Sequence, residues 1–314
     1  MSLTIGVDVG GTKVLGGVVD ETGRIIDHER LSTPKTEPEA IAEVIAAVVA
    51  TLRARHEVEA VGIGCAGWID LDRANVMFAP NLVLRNEPLK LRLSKLIDLP
   101  IVVENDANCH AWAETRFGAA RGQSNVVAVI LGTGIGGGIV LEGKLFRGGY
   151  GIAGEPGHMR VVPDGRPCGC GNRGCWEQYA SGNALVRAAK ETASLAPASV
   201  PYLLAAVAGR IDDITGPLVT EAAHAGDEGA RQCFETIARW VGQGLADIAT
   251  VLDPACFVIG GGPADAGAIL IDPARRAFAA ALSGGGYRPH PPILAAELGS
   301  SAGLVGASDL ARLR

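Results

Sequence analysis

The sequence feature that most constrains the fold is a pattern of strand, Gly-Thr turn and strand that occurs twice. In each copy an apolar, β-branched run leads into glycines and a threonine, and a second apolar run follows. Short runs of this kind, bounded by glycine, are typical of buried strands. The copies occupy residues 3–8, 10–12 and 14–19, and residues 126–131, 132–134 and 138–141. The repetition predicts a duplicated α/β fold of two domains with a cleft between them.

Chain length and periodicity support this division. A chain of 314 residues can form two domains of ordinary size, about 150 residues each. Helical spacing of apolar residues predicts helices at 40–52, 107–117, 234–252 and 303–313. Short β-branched runs predict further strands at 25–30, 61–64, 101–103 and 257–259. Gly118 and Gly122 mark a boundary, so we predict domains of residues 1–118 and 119–314, with the last helix packing back on the first domain.

Composition and charge argue against several classes of protein. Hydrophobic residues make up 48% of the chain and aromatic residues only 4%, with 43 glycines, which favours α/β layers over an aromatic-rich β-sandwich. A net charge of −6 gives no electrostatic case for binding nucleic acid. No apolar run approaches the roughly 20 residues of a membrane-spanning helix, and the N-terminus lacks a signal-peptide pattern. We therefore expect a cytoplasmic protein without a nucleic-acid or membrane partner.

The first turn, Asp8-Val9-Gly10-Gly11-Thr12-Lys13, has the chemistry of a phosphate site. Glycines after a strand let the backbone present N–H groups to an anion, and the Thr12 hydroxyl adds a donor. The Asp8 carboxylate at the strand end could hold Mg²⁺ through water. A plain β-hairpin with a glycine turn explains the same residues equally well. The segment is neither a Walker A loop nor a dinucleotide-binding motif.

Two later glycine segments extend this interpretation. Gly132, Thr133 and Gly134 repeat the first turn, and two such turns facing each other could hold a polyphosphate chain from both sides. The run Gly260-Gly261-Gly262 follows a predicted strand and would let a nucleotide approach the backbone closely. An ordinary turn is an equal alternative for the triple glycine. The phosphate interpretation rests on the three segments together.

The segment Glu104-Asn105-Asp106-Ala107-Asn108 follows a predicted strand and precedes a predicted helix. The carboxyl end of a sheet strand is where α/β proteins bind their ligands. A carboxylate at this place, Asp106, could accept the proton of an attacking hydroxyl group. Helix N-capping is the alternative role, since Asn and Asp are favoured caps, and the two roles are compatible.

Three of the seven cysteines lie within residues 168–175, and a histidine precedes them. Cys168, Cys170 and Cys175 together with His158 make a complete Cys₃His set for a tetrahedral zinc ion. A disulfide is the weaker explanation in a cytoplasmic chain, and no Cys-x-x-Cys pattern supports a redox role. The spacing and the lack of a basic face argue against a DNA-reading zinc finger.

We therefore predict a structural zinc that fixes the Glu155–His158 loop and places Glu177. The other four cysteines are scattered in apolar surroundings, which predicts buried, reduced thiols. These are Cys65, Cys109, Cys233 and Cys256.

Together these motifs resemble the ROK family (repressors, open reading frames and sugar kinases) within the actin/hexokinase/Hsp70 fold superfamily. The run Cys-Gly-Cys-Gly-x-x-Gly-Cys-x-Glu, with a preceding Glu-x-Gly-His, is the most specific match. The matching segments span nearly the whole chain in the family's order: residues 8–13, 104–108, 131–138, 154–158, 168–175 and 260–262. Residues 175–182 are especially similar to the ROK glucokinases of actinobacteria. The resemblance implies a duplicated, ribonuclease H-like fold and ATP-dependent phosphorylation of the 6-hydroxyl of glucose.

The resemblance also implies roles for individual residues. Asp106 would be the base toward the sugar 6-hydroxyl, and Asn105 would orient the sugar. Other sugar contacts would come from Asn81, Glu155, His158 and Glu177, with the second nitrogen of His158 on zinc. Contacts to ATP would come from Asp8, Gly10, Gly11, Thr12, Lys13, Gly132, Thr133, Gly134, Gly261 and Gly262. Family members are usually dimers or tetramers, which implies a homo-oligomer.

Several alternatives share these motifs. Kinases of N-acetylglucosamine or N-acetylmannosamine differ in the acceptor, mannose is open as a second substrate, and polyphosphate is an alternative donor that the net charge of −6 does not favour. A sugar-sensing repressor would carry a helix-turn-helix before the first phosphate motif, and the position of Asp8 leads us to expect none. A non-catalytic sugar-binding module would not need Asp106 together with both Gly-Thr turns.

Overall fold

The computed structural model describes residues 2–313. Its strands are β1 (Thr4–Val9), β2 (Lys13–Val19), β3 (Ile25–Ser32), β4 (Val61–Cys65), β5 (Trp68–Ile69), β6 (Val76–Phe78), β7 (Arg85–Glu87), β8 (Ile101–Asn105), β9 (Val126–Leu131), β10 (Ile135–Leu141), β11 (Lys144–Phe146), β12 (Cys256–Gly260) and β13 (Ile293–Ala295). Its α-helices are α1 (Pro38–Arg53), α2 (Leu89–Leu93), α3 (Asp106–Arg116), α4 (Glu177–Ala180), α5 (Gly182–Leu195), α6 (Pro201–Ala206), α7 (Gly216–Ala225), α8 (Glu228–Leu252), α9 (Ala268–Ala281) and α10 (Ala302–Arg312).

The chain forms two compact units. Unit 1 contains the residues up to Ala128, Gly138–Gly154 and the residues from Glu297 onward. Unit 2 contains Val129–Gly137 and Glu155–Ala296. The chain therefore passes from one unit to the other several times. Our predicted domains, 1–118 and 119–314, would instead require a single crossing, and that division stays a prediction.

Unit 1 is built on a five-stranded sheet with the order β3-β2-β1-β4-β8. Strand β1 is antiparallel to β2 and parallel to β4, and β4 is parallel to β8. The register pairs Val9 with Cys65 and Cys65 with Asn105. Since parallel strands end at the same edge, the residues that follow β1, β4 and β8 all lie along one edge of this sheet.

The final helix, α10, packs on this sheet and on α3. The backbones come so close that glycine is required at the contact points. A Cβ atom on Gly62 would lie 1.8 Å from the carbonyl oxygen of Ala307, and one on Gly306 would lie 1.8 Å from that of Cys109. The buried Asp309 accepts a hydrogen bond from Trp112 Nε1 at 2.8 Å. The end of the chain is thereby fixed to unit 1.

Unit 2 is dominated by the 25-residue helix α8, which packs against α5 and α9. The second five-stranded sheet has the order β11-β10-β9-β12-β13, and β12 and β13 belong to unit 2. Helix α8 ends at Leu252, and its C-cap is Asp253, whose φ of 44° is left-handed and which immediately precedes a proline. The predicted helix began at residue 234, because the first turns of α8 carry fewer large apolar residues.

The structure confirms the predicted strands and helices, most of them within three residues at each end. The four scattered cysteines are buried, as we expected. The sequence analysis did not predict α2, α4, α5, α6, α7 and α9, the edge strands β11 and β13, or the small sheet of β5, β6 and β7. Within residues 2–313, no helix combines the length and apolar character needed to cross a bilayer.

Candidate active site

The shared edge of the first sheet brings two acidic side chains within electrostatic reach. Asp8 lies near the end of β1, and Asp106 begins α3 directly after β8. Burial raises the pKa of Asp8 to about 6, and the Asp106 carboxylate raises it in the same direction, while His110 and Lys13 lower it. Burial also raises the pKa of Asp106, against the effect of His110. The pair therefore titrates closer to neutral pH than free carboxyl groups do, which suits a general base.

The cap of α3 is Asn105, so the capping role that we considered for Asp106 belongs to its neighbour. Asn105 Oδ1 accepts a hydrogen bond from the Asn108 backbone N–H at 2.9 Å. Its amide nitrogen donates to the Gly67 carbonyl oxygen at 3.0 Å and to Asp106 Oδ1 at 3.2 Å. The Asp106 carboxylate is thus held in orientation by the cap, and the residue as a whole is half-buried.

A buried charge cluster around Glu104 was not predicted. The Glu104 side chain is 1% exposed and pairs through Oε2 with Arg73 Nε at 2.9 Å and Arg147 Nε at 2.8 Å. Its Oε1 accepts hydrogen bonds from the Asn105 N–H at 2.8 Å and from Asn108 Nδ2 at 3.0 Å. No sequence spacing signals this cluster, because both arginines are distant from Glu104 along the chain.

His110 is a second residue near the site that the sequence analysis missed. It lies four residues after Asp106 in α3, and its Nδ1 is 3.2 Å from the Asp106 carbonyl oxygen. A Cβ atom on Gly303 would lie 3.2 Å from His110 Cε1 and 3.5 Å from Asp8 Cγ, so both side chains flank the same point of α10. Helical spacing of four residues was the available signal.

The first Gly-Thr turn is held by Lys13 at the start of β2 and by Thr33, which follows β3. The Gly10 N–H donates to the Lys13 carbonyl oxygen at 3.0 Å, and Thr33 Oγ1 donates to the Gly10 carbonyl oxygen at 2.7 Å. The Thr12 side chain is exposed. Asn81 is also exposed and lies against the turn, since a Cβ atom on Gly11 would be 3.1 Å from its carbonyl oxygen.

The second Gly-Thr turn is held by different neighbours. The Gly182 N–H, at the start of α5, donates to the Gly132 carbonyl oxygen at 2.8 Å. Thr133 is exposed. A Cβ atom on Gly134 would lie 2.3 Å from Glu177 Oε2, so the Glu177 carboxylate rests against this turn.

The triple glycine after β12 has two different environments. Gly261 has a φ of 89°, and a Cβ atom there would lie 2.2 Å from the Leu131 carbonyl oxygen. Packing against β9 therefore explains this glycine by itself. Gly262 is exposed, and a Cβ atom there would meet nothing within 4 Å.

The four residues predicted to bind metal lie together in unit 2. The donor atoms of His158, Cys168, Cys170 and Cys175 are all within 4.8 Å of one another. Cys168 Sγ is 3.7 Å from His158 Nδ1, and Cys170 Sγ is 3.6 Å from Cys175 Sγ. Bonds of about 2.3 Å to a tetrahedral zinc would place two sulfur ligands roughly 3.8 Å apart. The donor set and its spacing fit a metal ion, and the cysteines are free thiols.

Glu177 and Glu155 lie on either side of this cluster along the chain. Glu177 Oε1 is 2.9 Å from Cys168 Sγ, so its carboxylate lies between the cluster and the second Gly-Thr turn. Glu155 is partly buried and immediately precedes the 3₁₀ turn Pro156–His158. A metal ion held by His158 would therefore fix the backbone that carries Glu155.

Comparison with known proteins agrees with this geometry. The family described as the ROK family matches residues 4–314. A glucokinase of Streptomyces coelicolor is 51% identical and covers 99% of this chain and 98% of its own. An N-acetylmannosamine kinase of Escherichia fergusonii is 34% identical and covers 98% of each chain.

A solved structure is similar over the full length. The crystal structure of a ROK family glucokinase from Streptomyces griseus in complex with glucose and AMPPNP has a TM-score of 0.93 and 53% identity, and covers 100% of both chains. The present chain has the mixed α/β, actin/hexokinase-like fold of ROK sugar kinases. It belongs to the ROK family.

Proposed function

We propose that this chain is a glucokinase that transfers the γ-phosphoryl group of ATP to the 6-hydroxyl of glucose, giving glucose 6-phosphate and ADP. The observation that carries the proposal is Asp106, placed at the carboxyl end of β8 with a raised pKa and a carboxylate oriented by Asn105. Full-length identity of 51% to a glucokinase supports the choice of acceptor.

Asp106 acts as the general base in this proposal. It accepts the proton of the 6-hydroxyl as the oxygen attacks the γ-phosphorus, the role that an aspartate has in other kinases. The hydrogen bond from Asn105 restricts rotation of the carboxylate. The raised pKa makes this carboxylate a stronger base than a free aspartate.

The two Gly-Thr turns bind the phosphates of ATP. Exposed hydroxyls at Thr12 and Thr133 support this role, as do the glycines around them and the Lys13 ammonium group. Gly262, with open space beside it, and Gly261 at the end of β12 would approach the adenosine. The remaining residues of the two turns are Gly10, Gly11, Gly132 and Gly134.

Asp8 is the group that would hold Mg²⁺, through water. Its pKa is raised by burial and by the neighbouring Asp106 carboxylate, and an environment that destabilises the lone anion fits a cation. The ion would neutralise charge on the phosphates when bound.

We further propose that the Cys₃His cluster holds a structural zinc ion. His158 faces the cluster with Nδ1, which leaves Nε2 available to a sugar hydroxyl. The other hydroxyls of the sugar would be recognised by Asn81, Glu155 and Glu177, with Asn105 beside the base. A homo-oligomer, either dimer or tetramer, is a proposal that rests on the family resemblance. A cytoplasmic location is also a proposal.

A coupled assay that detects ADP tests the function. With ATP as donor, glucose should give the highest kcat/KM in a panel that also contains mannose, N-acetylglucosamine and N-acetylmannosamine. The same panel with polyphosphate identifies the donor. Preference for an acetamido sugar, or turnover with polyphosphate and not ATP, would overturn the assignment.

A further inference from the structure

The buried carboxylate of Glu104 is a charged group of unit 1 that the proposed mechanism does not use. Its two oxygens have separate sets of partners. Oε2 faces the guanidinium groups of Arg73 and Arg147. Oε1 faces the N–H of Asn105 and the side-chain amide of Asn108, which lie on either side of Asp106 in the sequence.

Arg147 connects this carboxylate to the turn between β5 and β6. It is 8% exposed, and its terminal nitrogens donate to the carbonyl oxygens of Leu71 at 2.7 Å and Asp70 at 2.8 Å. A Cβ atom on Gly151 would lie 2.6 Å from the carbonyl carbon of Asp70, so the backbone after Arg147 also packs on this turn. One guanidinium thus fixes the turn and Glu104 together.

This arrangement is costly as a source of stability alone. Taking the Glu104 and Arg147 charges out of water carries a desolvation penalty, whereas the Arg73 side chain stays 30% exposed. Well-packed apolar residues often stabilise a core equally well. The benefit of such a cluster is defined geometry, because a charge-assisted hydrogen bond such as that from Arg73 Nε to Oε2 has a preferred direction, and the Arg147 ion pair adds attraction from a second side. Here the hydrogen bonds to Glu104 Oε1 orient the first turn of α3, which contains Asp106.

We propose that Glu104, held by Arg73 and Arg147, is a positioning residue for Asp106. The arginines fix Oε2, and Oε1 then fixes the Asn105 N–H and the Asn108 amide. Asn105 in turn donates to the Asp106 carboxylate. The inference deepens the proposed function and rests on it.

The test is Glu104→Gln, which keeps the shape of the side chain. Its oxygen can still accept from Asn105 and Asn108, but its NH₂ group then opposes the N–H donors of both arginines. We expect kcat with glucose and ATP to fall roughly tenfold to a hundredfold, the effect of a small misplacement of a reacting group. The KM for ATP should stay within about twofold of wild type, since the phosphate turns keep their own hydrogen bonds.

Asp309→Asn is the matched control, because it changes another buried carboxylate of unit 1. Asp309 is 1% exposed and is bonded to Trp112, Arg116 and Arg312 near the opposite end of α3. It should lower the urea midpoint of unfolding as Glu104→Gln does, and leave kcat near wild type. Parallel losses of kcat and stability in both variants would reduce Glu104 to a structural role and overturn the inference.

Arg147→Lys decides the matter if Glu104→Gln does not fold. Lysine keeps the charge but cannot reach Glu104 and the turn carbonyls at once, so kcat should fall several-fold with the KM for ATP unchanged. Wild-type kcat in this variant contradicts the positioning role. Failure of the wild-type protein to phosphorylate glucose would instead refute the proposed function, so the two failures are distinguishable.

Discussion

The carboxylate site of unit 1 and the Cys₃His cluster of unit 2 are organised in opposite ways. Asp8 lies near the end of β1 and Asp106 directly follows β8, so their positions are set by the register of β1, β4 and β8. The cluster lies in a segment with no strand, where isolated bridges pair Arg160 with Cys175 and Pro167 with Arg173.

The difference shows two ways of preparing a site before ligand binds. In unit 1 the sheet supplies rigidity, and the cost is a pair of acidic groups held close together with raised pKa values. In unit 2 the four donors are close in sequence, so they can come together without a surrounding sheet. A bound metal ion would then hold this segment rigid. Changes in unit 1 should therefore affect the chemical step, and changes in the cluster should affect binding.

The largest effect is expected for Asp106→Asn. Loss of the base should lower kcat by about 10³-fold, within the range measured for general bases, and glucose binding should persist. A coupled assay together with calorimetric titration of glucose measures both. Asp98→Asn, an exposed aspartate of the same unit, controls for the change in charge. A kcat near that of wild type would remove Asp106 as the base.

A smaller effect, on binding, is expected for Cys170→Ser. The variant should lose the metal, and the KM for glucose should rise roughly tenfold or more, in line with the cost of disturbing metal-site residues. The fall in kcat should be smaller than for Asp106→Asn. Elemental analysis and steady-state kinetics check this.

Cys233→Ser is the matched control for the lost thiol, since Cys233 lies in unit 2 outside the cluster. It should retain the metal and the wild-type KM. Stoichiometric metal in Cys170→Ser, or none in the wild-type protein, would mean that the cluster does not hold zinc.

The last expected effect is on stability, and it takes the form of a pH dependence in Asp8→Asn, measured without Mg²⁺. The folded-state pKa of Asp8, about 6, is above the ordinary value of 3.8 for an aspartate, so the folded protein binds this proton more tightly than the unfolded chain does. The stabilisation from protonation is fully present below pH 3.8 and is lost as the pH rises through 6. Above pH 6 the ionised Asp8 carboxylate destabilises the folded protein. Replacing it with asparagine should therefore raise the free energy of unfolding by about 1–3 kcal/mol.

Urea unfolding at pH 4 and pH 7.5 measures this difference. The variant should gain stability over wild type at the higher pH and little at the lower. If Asp8→Asn and the wild-type protein were equally stable at both pH values, burial of the Asp8 carboxylate would not destabilise the folded state. The contrast between the two units would then be weaker.

Much of the candidate site was predictable because its parts are local in sequence. The four metal donors all lie between residues 158 and 175, and each Gly-Thr turn is a short continuous segment. Strand β9 was predicted with its observed bounds. The helices α5, α6 and α7 were not predicted, because they are short or carry only a few large buried apolar residues. For Gly261, packing on Leu131 gives the glycine a role that the motif alone did not suggest.

The sequence by itself determined which chemical groups are present and that each follows a strand or lies in a glycine-rich loop. Short-range rules of turns, caps and ligand spacing suffice for that. Only the tertiary structure decided that Asp8 and Asp106 interact, since this depends on β4 lying between β1 and β8. It also decided that Arg73 and Arg147 meet Glu104, because burial of a charge selects partners by proximity in space, and sequence separation gives no sign of it.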